Sequence, residues 1–197
     1  MLTLEQGARL VKLARNAIKA KFSLIKLKVD KSSKQEFSHA LGCFVTLHKD
    51  GQLRGCIGFP EPVMPLHQAI ENAAQHAAFN DPRFPALEKS ELDLVVVEVS
   101  VLTKPSRIDV RNPEDYVKNV QIGKDGLIVR GTYSSGLLLP QVATEQGWDS
   151  KTFLNQVCIK ANLKEDSWQD FDSTRIYKFQ SQVFSESSPN GEIIQIM

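Results

Sequence analysis

Six consecutive residues, Leu53-Arg54-Gly55-Cys56-Ile57-Gly58, gather the side chains best suited to chemistry in this chain of 197 residues. On an extended strand Arg54 and Cys56 fall on one face, two residues apart, and a guanidinium that close favours a thiolate. On that reading Cys56 is a nucleophile or covalent anchor and Arg54 its electrostatic activator. Gly55 and Gly58 then leave the backbone open to a ligand. The same residues also suit a plain core, because a buried cysteine is a small hydrophobe and strand glycines mark a bulge or tight packing.

Two further segments carry polar groups at the ends of regular elements. Asp81 and Arg83 flank Pro82 in a rigid turn, where they either pair or cap the preceding helix. The loop Thr132-Tyr133-Ser134-Ser135-Gly136 is rich in hydroxyls and could cradle an anion through its amides. It lacks a Walker lysine, so nucleotide binding is not indicated. Joined together, the three segments predict that Cys56 borders a surface pocket with Asp81 or Arg83 and Ser134 or Ser135, fit for an anionic or planar polar ligand. The competing expectation seals Cys56 in the core, with Asp81 and Arg83 as braces.

Metal and cofactor chemistry find little support in the sequence. Cys43, Cys56 and Cys158 are odd in number and form no C-x-x-C pair, which predicts reduced thiols and neither disulfide framework nor zinc site. Cys158 shares a helix face with Phe153, Val157 and Ala161 and reads as core. His67 with Glu71 and Asn72 with His76 stand one helical turn apart, a solvent-facing row rather than a ligand set. No metal and no cofactor is expected.

The elements that must position these residues follow from periodicity. Thr3 and Gln6 form a capping box, after which Leu4, Ala8, Val11, Ala14, Ile18 and Phe22 recur at helical spacing. Arg9, Lys12, Arg15 and Lys19 make a basic stripe beside that apolar face, read as a solvated flank. Residues 39–48 alternate as a half-buried strand, Asp50-Gly51 supplies a hairpin turn, and 53–57 returns beside it. Pro65 opens an alanine-rich helix to Phe79 whose small residues imply close backbone approach to the sheet. Leu92–Leu102 is the most apolar strand and the expected centre of the sheet.

Further along, Asn112-Pro113 starts a short helix, and 123–131 reads as a strand carrying a second Lys-Asp-Gly turn, which raises the idea of an internal duplication. A helix from Pro140, another capped by Asp149 and ending near Asn162, and a strand from Arg175 to Phe184 complete the pattern. Residues 187–191 look like a mobile tail.

Composition bounds the partners. Twenty-four basic and 23 acidic residues leave a net charge of +1, so no global field argues for nucleic acid or an anionic membrane. The amino-terminal 36 residues are the basic end. No apolar run approaches the length of a membrane span and no signal-peptide pattern opens the chain, so a cytoplasmic protein is expected.

Taken in order, L-R-G-C-I-G (53–58), F-N-D-P-R-F-P (79–85), V-E-V-S-V-L-T (97–103), D-G-L-I-V (125–129), S-G-L-L-L-P-Q-V (135–142) and G-W-D (147–149) resemble the AMMECR domain family over residues 4–186. The chain is most similar to its free-standing archaeal members. The resemblance implies an α+β fold with a mostly antiparallel sheet, a larger subdomain from 1–80 and 125–197, and a smaller one from 81–124. It brings no established reaction. It implies a gene neighbourhood shared with a Memo-like protein and a radical S-adenosylmethionine protein, hence a link to nucleobase or RNA modification. An enzyme component built on Cys56 and an adaptor for a protein or RNA partner are the two functional expectations. Ala86 replaces a common second proline of the family, and Asn162 a common helix-ending glycine.

Overall fold

The structure, a computed structural model, describes residues 2–23 and 29–196. It is α+β, with eight strands among the described residues whose described pairings are all antiparallel. Two compact units divide the chain, one of residues 1–102 with 182–197 and the other of residues 103–181. The expected smaller subdomain at 81–124 differs from this division. Segment 81–102 supplies Leu87, Val95, Val97, Val99 and Val101 to the core of the first unit, while Val120, Leu127 and Val129 join that of the second.

In the first unit helix α1 (Leu4–Ser23) begins at the capping box read from the sequence. The Thr3 amide donates to Gln6 Oε1 at 2.8 Å and the Gln6 amide to Thr3 Oγ1 at 3.2 Å. A short helix α2 (Lys31–Glu36), capped by Asp30, was not anticipated; with six residues it has no periodicity to read. Strands β1 (Cys43–Lys49) and β2 (Gln52–Phe59) form the expected hairpin. Asp50 and Gly51 close it with φ of 53° and 75°, the left-handed pair that a two-residue turn demands.

Helix α3 (Leu66–Phe79) follows Pro65, and β3 (Val95–Leu102) pairs with β1 so that the hairpin order is β2-β1-β3. The strand expected at Leu92 starts three residues later, because residues 89–91 form a 3-10 turn capped by Glu88. Helices α1 and α3 bury one face of the sheet. Leu10, Ala14, Ala73, Ala74 and Ala77 meet Val45, Leu47, Val97 and Val99 there. The alanines permit the close approach expected of them.

Arg15 does not stand in a solvated basic stripe. It is buried and bidentate to Glu186, and it also donates to the carbonyls of Leu92 at 2.8 Å and Val95 at 2.6 Å. The helix face that buries Ala14 and Ile18 carries Arg15 inward with them, and a buried guanidinium is tolerated because each of these acceptors is in reach.

The second unit holds β4 (Ser106–Arg107), α4 (Pro113–Asn119), β5 (Asp125–Arg130), β6 (Ser135–Leu138), α5 (Pro140–Glu145) and α6 (Ser150–Lys160). Its core joins Leu127, Val129 and Ile176 to Phe153, Leu154, Val157 and Trp168. Asp149 caps α6 as expected, and Asn162 ends it with φ 58°, doing the work of a glycine. Strand β7 (Arg175–Glu186) is shared, with residues 175–181 in the second unit and 182–186 in the first.

Two sequence readings are corrected by backbone geometry. Asp125 and Gly126 lie inside β5, not in a turn, so the two Lys-Asp-Gly segments are not equivalent and the duplication falls. Residues 187–191 are no loose tail but the turn into β8 (Ile193–Gln195), which pairs with β7 and is closed by the Ser187 amide donating to Glu192 O at 2.8 Å.

Candidate functional site

The R-G-C-I-G segment lies on β2, at the edge of the β2-β1-β3 sheet, and its geometry turns on one extra residue. Leu47 pairs with Gly55 and His48 with Leu53, so Arg54 is the unpaired residue of a β-bulge. The bulge puts Leu53, not Arg54, in the position that alternation gives to a neighbour of Cys56. Arg54 reaches instead to Glu91, with Nε to Oε1 at 3.1 Å and Nη2 to Oε2 at 2.9 Å, and to the Pro85 carbonyl at 2.9 Å. Lys49 adds a third cationic contact to Glu91 at 3.0 Å. These contacts hold the Glu91 carboxyl down at about 2, chiefly through the Arg54 hydrogen bonds. The sequence-based role of Arg54 as thiol activator is therefore replaced by a structural ion pair.

Both glycines are needed for packing. A Cβ on Gly55 would stand 2.2 Å from the Ala77 carbonyl oxygen on α3, and one on Gly58 would meet the Cys43 carbonyl at 2.3 Å and the Phe44 ring at 2.4 Å. The backbone access expected for a ligand at these positions is taken by the protein itself.

Asp81 and Arg83 do converge on Cys56, but on its main chain. The Cys56 amide donates to Asp81 Oδ2 at 2.9 Å, and Arg83 Nη2 donates to the Cys56 carbonyl at 2.9 Å. Arg83 also grips Asp81 through Nη2 at 2.7 Å, Nε at 2.9 Å and its own amide at 3.1 Å. These bonds push the Asp81 carboxyl well below the usual range, with Arg83 the leading cause. Asp81 is buried, whereas the Arg83 side chain stays 53% exposed and lies over the Phe84 ring at 5.5 Å.

The Cys56 thiol is half-buried, and Thr46 Oγ1 donates to Sγ at 3.3 Å. Burial raises its pKa; the Thr46 hydrogen bond and the Arg83 charge oppose that, and Glu98 and Asp81 add to it. Cross-strand register explains the company, since Cys56 faces Thr46 and Thr46 faces Glu98. His48, one step along β1 on the same face, brings Nε2 to 3.8 Å from Glu98 Oε2. Thr46, His48, Cys56 and Glu98 are only partly buried on that face, and a recess of about 450 Å³ opens at its hairpin end, lined by His48, Val96, Leu94 and Ser187.

Ser134 and Ser135 belong to the second unit. Ser134 lines a recess of about 240 Å³ there with Thr132, Tyr133, Leu163 and Thr174, and Ser135 opens β6 in an exposed position. Among the described residues no group of His, Cys, Asp or Glu is arranged to hold a metal ion. His67, read as solvent-facing, is buried at the start of α3, where its amide donates to Phe37 O at 3.2 Å. No described helix is long and apolar enough to cross a membrane.

The AMMECR1 family model matches residues 11–184, nearly the whole of both units. The chain belongs to the AMMECR1 family. Its relatives in that family include Protein MJ0810 of Methanocaldococcus jannaschii, 46% identical with 99% of this chain and 97% of that protein covered. Protein MK0488 of Methanopyrus kandleri is 48% identical over 98% of this chain and 94% of its own length. The crystal structure of Uncharacterized Protein PH0010 from Pyrococcus horikoshii superposes with a TM-score of 0.88 at 44% identity, covering 97% of this chain and 96% of that one.

Within this AMMECR1 chain the sequence reading missed Thr46, Glu91 and Glu98 and left His48 without a role. Alternation did carry a signal for three of them. Leu41, Cys43, Val45 and Leu47 set one face of β1, so Thr46 and His48 must share the other, and Glu98 likewise opposes Val97 and Val99. What alternation cannot supply is the register that brings them beside Cys56.

Proposed function

We propose that this chain is a binding module whose docking face is the R-G-C-I-G edge, read by the exposed Arg83 guanidinium with Cys56 and Thr46 at its foot. The observation that carries this reading is the commitment of Arg54 to Glu91, which removes the expected activator, while burial outweighs the Thr46 hydrogen bond and the Arg83 charge and keeps the thiol raised. A protein partner offering a carboxylate or carbonyl group suits Arg83 better than RNA does. Asp81 and Glu91 sit beside the two arginines of this edge and cancel the positive field that a polyanion requires. The Memo-like and radical S-adenosylmethionine proteins implied by the family are the first partners to try.

The test is a titration of the purified chain against each of those two proteins by calorimetry. Arg83→Ala should weaken binding about tenfold or more, as loss of a charge-assisted contact does. Cys56→Ser should leave it nearly unchanged. Loss of binding in Cys56→Ser with Arg83→Ala unaffected, or binding to neither protein, overturns the adaptor reading.

The Cys56, Thr46, Glu98 and His48 row supports a second reading, an enzyme component acting through Cys56 with Glu98 as proton acceptor, in nucleobase or RNA modification. Covalent trapping of Cys56 by a modified-base substrate in the presence of the radical S-adenosylmethionine protein, lost in Glu98→Gln, would favour it over the adaptor.

A further inference from the structure

Strand β2 pairs with β1 and, among the described residues, with no other strand, so one of its long sides is an open edge. In an antiparallel ladder successive residues direct both their N–H and C=O groups alternately toward one neighbour and the other. Cys56 directs both away from β1, as its contacts with Asp81 and Arg83 demonstrate. An open edge of this kind is a template for a further strand, and folded proteins blunt it with charges, prolines and bulges.

We propose that the Asp81 and Arg83 pair is a cap on this edge, occupying the backbone groups through which the β2 of a second copy of this chain would otherwise add. The carboxylate takes the place of an incoming carbonyl, accepting the Cys56 amide at 2.9 Å, and the guanidinium takes the place of an incoming amide, donating to the Cys56 carbonyl at 2.9 Å. Together they reproduce the reciprocal donor and acceptor of one strand residue. The cap is rigid, because Arg83 binds Asp81 through backbone and side chain together. The Arg54 bulge and its bond to the Pro85 carbonyl at 2.9 Å extend the protection along the same edge.

The occupant that the cap excludes follows from symmetry. A strand presenting both backbone groups of one residue outward is complementary to itself about a two-fold axis through that residue. Leu53, Ile57 and Phe59 make β2 apolar, and Leu53 is 41% exposed, so apart from the bulged Arg54 its own side chains do not oppose such pairing. Two copies joined this way would set Cys56 opposite Cys56 with Cα atoms about 5.5 Å apart, within disulfide reach. Cys43 and Cys158 are fully buried and would not compete.

The experiment compares the native chain with Asp81→Ala and Arg83→Ala by light-scattering mass across a concentration series, and then by treatment with diamide. The diazene takes two electrons and two protons from a pair of Cys56 thiols, forming the disulfide and the hydrazide. Asp81→Ala is expected to gain a dimer whose fraction rises with concentration and a reducible cross-link lost in Asp81→Ala/Cys56→Ser. Adding Leu53→Lys on the same edge should suppress both. A folded Asp81→Ala variant with native mass and no Cys56 cross-link overturns the proposal, as does a native chain already cross-linked through Cys56. Should Asp81→Ala fail to fold, Arg83→Ala decides the matter, since it removes the guanidinium and keeps the turn. No cross-linking above the native level in that variant overturns it equally.

Discussion

Asp81 Oδ2 accepts a hydrogen bond from the backbone amide of Cys56 at 2.9 Å, so a residue 25 positions along the chain holds the cysteine by its main chain and leaves its thiol to Thr46. The most conspicuous motif in the sequence is thus fixed in place by a neighbour that never touches its reactive atom. That arrangement makes β2 stiff without activating Sγ.

Removing Asp81 should be costly, because it strands the Cys56 amide and loosens Arg83 together. Asp81→Ala is expected to lose about 2–3 kcal/mol of unfolding free energy. Urea denaturation followed by circular dichroism measures it. A loss within about 0.5 kcal/mol, the range of an ordinary surface change, would contradict the bracing role.

Cys56 should titrate above an ordinary cysteine, since burial is the largest influence on it. Alkylation rates measured against pH are expected to rise late, later still in Arg83→Ala, earlier in Glu98→Gln, and without change in Arg54→Ala. An Arg54→Ala effect as large as that of Arg83→Ala would restore the activator role that the bulge removes.

Acid should weaken the first unit through Asp81 and Glu91, both held below their ordinary values by arginines. A depressed folded pKa stabilises above the unfolded value and loses that stabilisation as the proton binds to the fold. The contribution is therefore whole above about pH 4.5 and is lost as pH falls toward 2. Glu91→Gln should flatten the dependence of stability on pH in that window, and an unchanged slope would count against the ion pair with Arg54.

Gly55→Ala should damage the fold without touching chemistry, because the added methyl carbon meets a helix carbonyl at 2.2 Å and backbone on both sides cannot yield cheaply. The expected fall in Tm is about 10 °C, from an overpacking cost of about 3 kcal/mol. A Tm shift near zero would show that α3 can retreat from β2.

Much of the fold was legible because local chemistry specified it. The capping box at Thr3 and Gln6, the Asp50-Gly51 turn and the Asp149 cap are short-range devices whose donors and acceptors lie within a few residues, so the sequence states them directly. Alternation in β1 and β3 was equally plain. The Lys-Asp-Gly duplication misled because Asp125 and Gly126 carry the same letters as a turn while Gln180 and Phe179 hold them as strand partners.

The sequence by itself determined the family and the α+β class and singled out Asp81 and Arg83 with Cys56, because motifs and periodicity are properties of neighbours in the chain. Only the tertiary structure decided what those residues do. One bulged residue sent Arg54 to Glu91, the crossing of α3 used up Gly55, and β1 pairing brought Thr46 to Sγ. Register and close approach are fixed by the balance of packing across a whole sheet, and a shift of one residue reverses every side chain beyond it. No stretch of sequence around Cys56 contains that information.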